Sequence, residues 1–252
     1  MSGIDLFKKH LSEKRAVKII AGIDNFDTEN VKKVVLAANQ AGASAIDLCA
    51  NEDILATARE LTDLPLFVSS IKPEELAHAV KCGADAIELG NFDALYKKGL
   101  RMGEEEVLDL TRKTLSLINK SEVFFCVTVP GHISVTEQIE LARSLEELGI
   151  DLIQTEGAAI SDVKSEGARG LVETAQVSIA NTIELARNVD IPVMTASGIT
   201  TTTAALAFAA GASAIGVGSC VNKLDSALAM TAVVRNLVEI ASNDAQKETV
   251  LV

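Results

Sequence analysis

Three charged side chains lie inside apolar runs, which makes them the first candidates for chemistry. Lys18 sits in Val17-Lys18-Ile19-Ile20, Asp47 in Ala45-Ile46-Asp47-Leu48 and Glu88 in Ala86-Ile87-Glu88-Leu89. A buried charge is costly unless it is paired. Together, a lysine and two carboxylates make either a self-neutralised polar core or a proton-transfer group. A carboxylate beside a lysine acts as general base, and a desolvated lysine acts as an acid or a Schiff-base nucleophile. Gln154 occupies the matching place in Leu152-Ile153-Gln154-Thr155, and Glu156 follows as a candidate for binding a substrate hydroxyl. His132 comes after Pro130-Gly131, where an imidazole polarises a carbonyl or shuttles a proton. His10 and His78 read as surface residues. Cys49, Cys82, Cys126 and Cys220 show no CxxC spacing, so no disulfide scaffold is expected. No His/Asp/Glu cluster has metal-ligand spacing either, so no metal site is expected.

Two glycine-containing segments point to an anion. They are Thr195-Ala196-Ser197-Gly198 and Gly216-Val217-Gly218-Ser219. Glycines let backbone N–H groups approach a phosphate closely. Ser197, Gly198, Gly218 and Ser219 are the expected phosphate ligands, with Lys223 close in sequence. The plainer reading is that these glycines only permit tight turns.

The elements that must position these residues follow from an internal repeat. Gly42-Ala43-Ser44-Ala45-Ile46-Asp47 recurs as Gly83-Ala84-Asp85-Ala86-Ile87-Glu88. It returns as Gly149-Ile150-Asp151-Leu152-Ile153-Gln154 and as Gly211-Ala212-Ser213-Ala214-Ile215-Gly216. In each copy a glycine suited to a left-handed helix end precedes a short apolar strand. Leu64-Pro65-Leu66 and Ile191-Pro192-Val193 place a proline at the start of two further strands. The expected strands are 17–21, 44–49, 65–70, 85–90, 123–129, 151–155, 192–197 and 213–218. Helical patterns include Thr28–Gln40, Pro73–Lys81, Ser134–Leu148 and Ala227–Ser242. Eight strand–helix units of about 31 residues match one (β/α)8 barrel over residues 1–252. A doubly wound sheet is the alternative, but no GxGxxG follows the first strand.

The repeat also sets the register. Ile46, Ile87, Ile153 and Ile215 are equivalent, and strand neighbours point to opposite faces. With the isoleucines under the helices, Asp47, Glu88, Gln154 and Gly216 face the barrel interior, as does Lys18. Long connections, Asn91–Glu104 and Glu156–Gln176, follow strands and are candidate lids. Cys49, Cys126 and Cys220 would border the barrel mouth as packing residues.

A distinctive series runs through the chain: Ala21-Gly22-Ile23-Asp24-Asn25-Phe26, Val68-Ser69-Ser70-Ile71, Glu88-Leu89-Gly90-Asn91-Phe92-Asp93, Ile153-Gln154-Thr155-Glu156-Gly157 and Thr195-Ala196-Ser197-Gly198. It resembles the hypothetical chloroplast reading frame twenty-three family of cyanobacteria and algal plastid genomes, a domain of unknown function. The resemblance implies an aldolase-type barrel in a cyanobacterial cytoplasm or plastid stroma, and no established reaction. The two glycine segments look more distantly like those of phosphate-binding barrels such as sugar-phosphate epimerases, thiazole synthases and FMN-linked oxidoreductases.

Composition narrows the partners. The 252 residues carry 23 Lys and Arg against 35 Asp and Glu, a net charge of −12, and only 3 % aromatics without tryptophan. A general grip on nucleic acid needs dense positive charge and stacking platforms, so it is disfavoured, as is an anionic membrane surface. No apolar run approaches the roughly 20 residues of a membrane span. The expected function is metal-independent isomerase, epimerase or lyase/synthase chemistry on a small phosphorylated metabolite. An FMN-linked oxidoreductase and a non-catalytic regulator that binds such a metabolite are the alternatives. A homo-oligomer is compatible with both.

Overall fold

A computed structural model describes residues 3–250 except 93–95, 97, 98, 100 and 158–164, with backbone alone over 244–250. Eight parallel strands close into a barrel, β1 Ala16–Ile20, β2 Ala45–Cys49, β3 Leu66–Ser70, β4 Ala86–Leu89, β5 Phe124–Val129, β6 Leu152–Thr155, β7 Val193–Thr195 and β8 Ala214–Val217. Strand β8 pairs back onto β1, with Gly216 opposite Lys18. The described helices are α1 Gly3–Ser12, α2 Thr28–Ala41, α3 Glu52–Arg59, α4 Pro73–Lys81, α5 Glu104–Leu117, α6 Val135–Glu147, α7 Gly167–Ala186, α8 Ala204–Ala209, α9 Ser219–Asn222 and α10 Ala227–Val250.

Local chemistry explains the alternation. Gly42, Gly83, Gly149 and Gly211 take φ of 75°, 94°, 76° and 102°. They turn the chain out of a helix and into the next strand without a Cβ clash. Pro65 and Pro192 precede β3 and β7, where they need no N–H. Their carbonyls still accept from Ile46 and Ile153, each at 3.0 Å. Asp27, Asn51 and Ser134 accept hydrogen bonds from the first-turn amides of α2, α3 and α6, satisfying donors that a helix start leaves open.

Successive side chains on each strand part to opposite faces. Ile46 and Ile215 pack in one outer cluster with Val34, Ala38 and Leu237. Ile87 and Ile153 pack in a second with Leu76 and Leu141. Their neighbours Ala45, Ala86, Leu152 and Ala214 point inward, with Ala16, Phe67, Phe124 and Met194. The stretch 1–15, assigned no element in the sequence, supplies α1. Its Phe7 enters this inner layer and meets Phe67 and Phe124 edge-on, at centroid distances of 5.1 and 5.7 Å. Small alanines on one side of the layer leave the volume that three rings fill, the large–small matching that close packing requires.

Two readings need correction. The irregular connection expected over Glu156–Gln176 ends earlier, because α7 starts at Gly167. The glycines there occupy its first turn, where Gly167 adopts φ 62° and Gly170 is buried. His10 is not a surface residue. It is 9 % exposed, and its Nδ1 lies 2.9 Å from Ser44 Oγ, so the amphipathic face of α1 carries it under the barrel. Part of each candidate lid, 93–95, 97, 98, 100 and 158–164, lies outside the described residues.

Candidate active site

Two residues further along the strands, the inner layer turns polar. Lys18, Asp47 and Glu88 meet there with no solvent exposure. The Lys18 ammonium pairs with Glu88 Oε2 and stands 5.1 Å from the centroid of the Phe67 ring. Glu88 Oε1 accepts from Gln154 Nε2 at 2.7 Å and from Thr128 Oγ1 at 3.4 Å. Asp47 accepts from Ser69 Oγ at 2.5 Å and from Asn91 Nδ2 at 3.1 Å. Gln154 Nε2 also reaches Asn91 Oδ1 at 3.3 Å and Thr128 Oγ1 at 3.1 Å. Every donor in the group therefore points toward one of two carboxylates or toward a side chain that holds one.

Burial pushes the Asp47 carboxyl up. Lys18 opposes this, Glu88 adds to it, and the hydrogen bonds from Ser69 and Asn91 oppose it, leaving the group at about 7. Burial pulls Lys18 down, but Glu88 and Asp47 more than offset it, so the ammonium titrates above the ordinary lysine value. The result is one firm positive charge beside two carboxylates, one of which exchanges its proton near neutrality. That is the range in which a general acid or base works best. Among the described residues, the buried acceptor Gln154 Oε1 has no hydrogen-bond partner. It faces Gly216, where an added Cβ would lie 3.2 Å from it and 3.0 Å from Ala196 Cβ. A buried carbonyl left unpaired costs about 1–3 kcal/mol, which a ligand donor would recover.

Backbone shape brings Asn91 into this group. It has φ 59°, a conformation that asparagine tolerates better than most residues. Gly90 beside it has no side chain because a Cβ would overlap Thr128. Asn91, Ser69 and Thr128 were missed as site residues. Glu88-Leu89-Gly90-Asn91 and Val68-Ser69 both appear in the distinctive series, but no spacing in the sequence tells which side chains converge.

His132 and Glu156 belong to a second cluster, built around Tyr96, another residue the sequence did not single out. The Tyr96 hydroxyl donates to Glu156, and His132 Nδ1 lies 3.1 Å from that hydroxyl. The two rings meet edge-on at 5.2 Å, and Arg101 stacks 5.3 Å from the tyrosine centroid. Burial, then Arg101, lowers the pKa of His132, favouring neutral imidazole. Gly131 permits this meeting, since a Cβ there would overlap the Glu156 carbonyl.

The glycine segments flank neighbouring strands. Ser197 and Gly198 are consecutive left-handed residues, at φ 69° and 77°. A Cβ on Gly198 would come within 2.8 Å of the Thr174 carbonyl in α7. Ser178 Oγ donates to the Ser197 carbonyl at 2.8 Å, fixing this turn. Gly218 precedes α9, and Ser219 is exposed at its start. Asn222 donates to the Ile20 and Ala21 carbonyls at 3.0 and 3.1 Å, tying α9 to the end of β1. Lys223 is exposed.

Two cysteine and metal expectations change. Cys126 lies in the inner apolar layer, not at the mouth. Burial, then Glu88, raises its thiol pKa well above the ordinary value, so it is inert. On the outer ring, Glu52, His78 and Cys82 bring one ligand atom each within 4.8 Å of one another. Sequence spacing did not reveal this grouping, because His78 and Cys82 are one turn apart on a helix end and Glu52 comes from a different helix.

Comparison with known proteins agrees with this architecture. The uncharacterized protein ycf23 of Cyanophora paradoxa is 42 % identical over 217 residues, covering 86 % of this chain and 88 % of that protein. Thiamine phosphate pyrophosphorylase from Pyrococcus furiosus superposes with a TM-score of 0.58 at 20 % identity, over 93 % of this chain and 98 % of that one. (S)-3-O-geranylgeranylglyceryl phosphate synthase from Thermoplasma acidophilum, in complex with substrate sn-glycerol-1-phosphate, gives 0.58 at 16 % identity, over 96 % and 99 %. The likeness to these two is one of fold. The model of the family described as protein of unknown function (DUF561) matches residues 4–247, and the chain belongs to that family.

Proposed function

We propose that this barrel is an enzyme acting on a small phosphorylated metabolite, by isomerase, epimerase or lyase/synthase chemistry. One observation carries the reading: the fully buried Lys18, Asp47 and Glu88 lie beside an acceptor with no partner among the described residues, in the carboxyl-terminal half of the barrel. Active sites in this fold lie at that end. Asp47 takes and returns a proton, with Glu88 holding Lys18 in place. The Lys18 ammonium stabilises negative charge developing on a carbonyl oxygen or, once deprotonated, attacks the carbonyl carbon. Gln154 Oε1 accepts from a substrate hydroxyl. The loops of Ser197, Gly198, Gly218 and Ser219 hold the phosphate, and Glu156 and His132 bound the site through Tyr96. Lys18 already supplies the positive charge beside the two carboxylates, so the chemistry runs through these side chains without a metal. The setting is a cyanobacterial cytoplasm or plastid stroma.

The test uses thermal shift with glycerol phosphate, sugar phosphates, FMN and sulfate, because a ligand that binds only the folded state stabilises it. A phosphorylated compound should raise the melting temperature and be turned over. Lys18→Met should abolish turnover while the shift with that compound remains. Turnover unchanged in Lys18→Met overturns the assignment. A yellow protein stabilised by FMN would favour the flavin reading, and stabilisation without turnover across the panel would favour a regulator. Borohydride trapping with substrate separates a Schiff base from proton transfer alone.

A further inference from the structure

We propose that Glu52, His78 and Cys82 form a zinc-class metal site on the outer ring of the barrel. It is separate from the polar group inside. His78 and Cys82 are four residues apart at the end of α4, so they lie on one helix face. Glu52 opens α3, the preceding helix. His78 Nε2 stands 3.4 Å from Glu52 Oε2 and 3.4 Å from Cys82 Sγ. A tetrahedral Zn2+ with Zn–N of about 2.0–2.1 Å, Zn–O of about 2.0–2.2 Å and Zn–S of about 2.3 Å holds its ligands about 3.3–3.6 Å apart. Both measured separations fit that spacing, and the third pair lies within 4.8 Å. Two of the three pairs thus already stand at metal-ligand spacing.

The donor set selects the ion. Thiolate, imidazole and carboxylate together suit Zn2+ and its borderline-soft neighbours, whereas Mg2+ and Ca2+ take oxygen ligands. The three residues line a groove of about 240 Å3 between α3 and α4, over an apolar floor that includes Leu55 and Val68. Two further carboxylates on the groove wall are engaged elsewhere: Glu74 pairs with Lys113, and Glu75 with Lys72 and Ser70. The fourth position is therefore left to water, as in zinc sites that exchange a ligand. Binding clips α3 to α4. The exposed positions of Glu52 and His78 let these ligands be replaced without disturbing the core.

The experiment titrates the metal-free full-length chain with Zn2+ and, in parallel, Co2+. One equivalent should bind, with a thiolate-to-cobalt charge-transfer band and a rise in melting temperature that a chelator reverses. His78→Ala and Cys82→Ser should each weaken binding by about tenfold or more, and Cys82→Ser should also remove the charge-transfer band. Failure to bind one equivalent, or unchanged binding in both variants, overturns the proposal. So does a site that loses affinity in His78→Ala yet keeps it in Cys82→Ser, because the thiolate is then no ligand.

Discussion

The two inner layers of the barrel lie two strand residues apart, the lower one completed by Phe7 from α1, and solve opposite problems. In the lower layer Phe7, Phe67 and Phe124 pack edge-on among alanines, and nothing there needs a partner. In the upper layer Lys18, Asp47 and Glu88 are equally buried, but each depends on the others, and Gln154 Oε1 is left over. Packing holds the lower layer at any pH. Charge balance holds the upper layer, so it carries both the chemical potential of the molecule and its vulnerability. The comparison teaches that apolar packing and charge balance, two different sources of stability, are separated along the barrel axis by one step of strand alternation.

The largest effects should be similar in size and different in kind. Phe7→Ala leaves a ring-sized cavity and should cost about 3–5 kcal/mol. Lys18→Met strands two buried carboxylates and should also cost about 3–5 kcal/mol. Urea unfolding across pH separates them. Without Lys18 the Asp47 pKa rises further in the folded state, so the folded protein binds more protons than the unfolded chain and its stability falls as pH rises. The Lys18→Met deficit should grow from pH 5 to pH 8, and Glu88→Gln added to it should restore part of the loss. The Phe7→Ala deficit should be the same at both. Equal pH dependence in the two variants would erase the distinction between the layers.

A smaller effect sharpens the comparison within the polar layer. Asp47 titrates at about 7 in the folded protein against an ordinary value of 3.8. Between those values the folded state holds the extra proton, so this group removes stability as pH rises, at up to about 1.4 kcal/mol per pH unit. Above about pH 7 the loss is complete. Asp47→Asn should remove that slope, so the variant gains on the wild type between pH 5 and pH 8. A constant difference between the two proteins would mean that Asp47 is ionised throughout.

Much of this was legible from the repeat. Four copies of one motif fixed the strand register, and with it the inward direction of Asp47, Glu88, Gln154 and Gly216, because side chains alternate strictly along a strand. Contacts across the barrel were not legible. Asn91 reaches Asp47 from 44 residues away and Tyr96 reaches Glu156 from 60, distances at which local pattern is silent. His10 shows the same limit. An isolated histidine near charged residues reads as exposed until the amphipathic helix that buries it has somewhere to dock. The Glu52 cluster was invisible because its third ligand comes from another helix.

The enclosure of Asp47 has a consequence for the fate of a proton. With no exposed surface, and with Ser69 and Asn91 hydrogen-bonded to its two oxygens, this carboxyl has no direct route to bulk water. A hydrogen lifted from a substrate carbon onto Asp47 would be kept inside the barrel for the lifetime of the bound complex. It would return to the same molecule more often than it exchanged with solvent. A deuterium placed on that carbon would then reappear in the product, and buffer deuterium would enter slowly. Retention of the label would report the seclusion of the group in units of time.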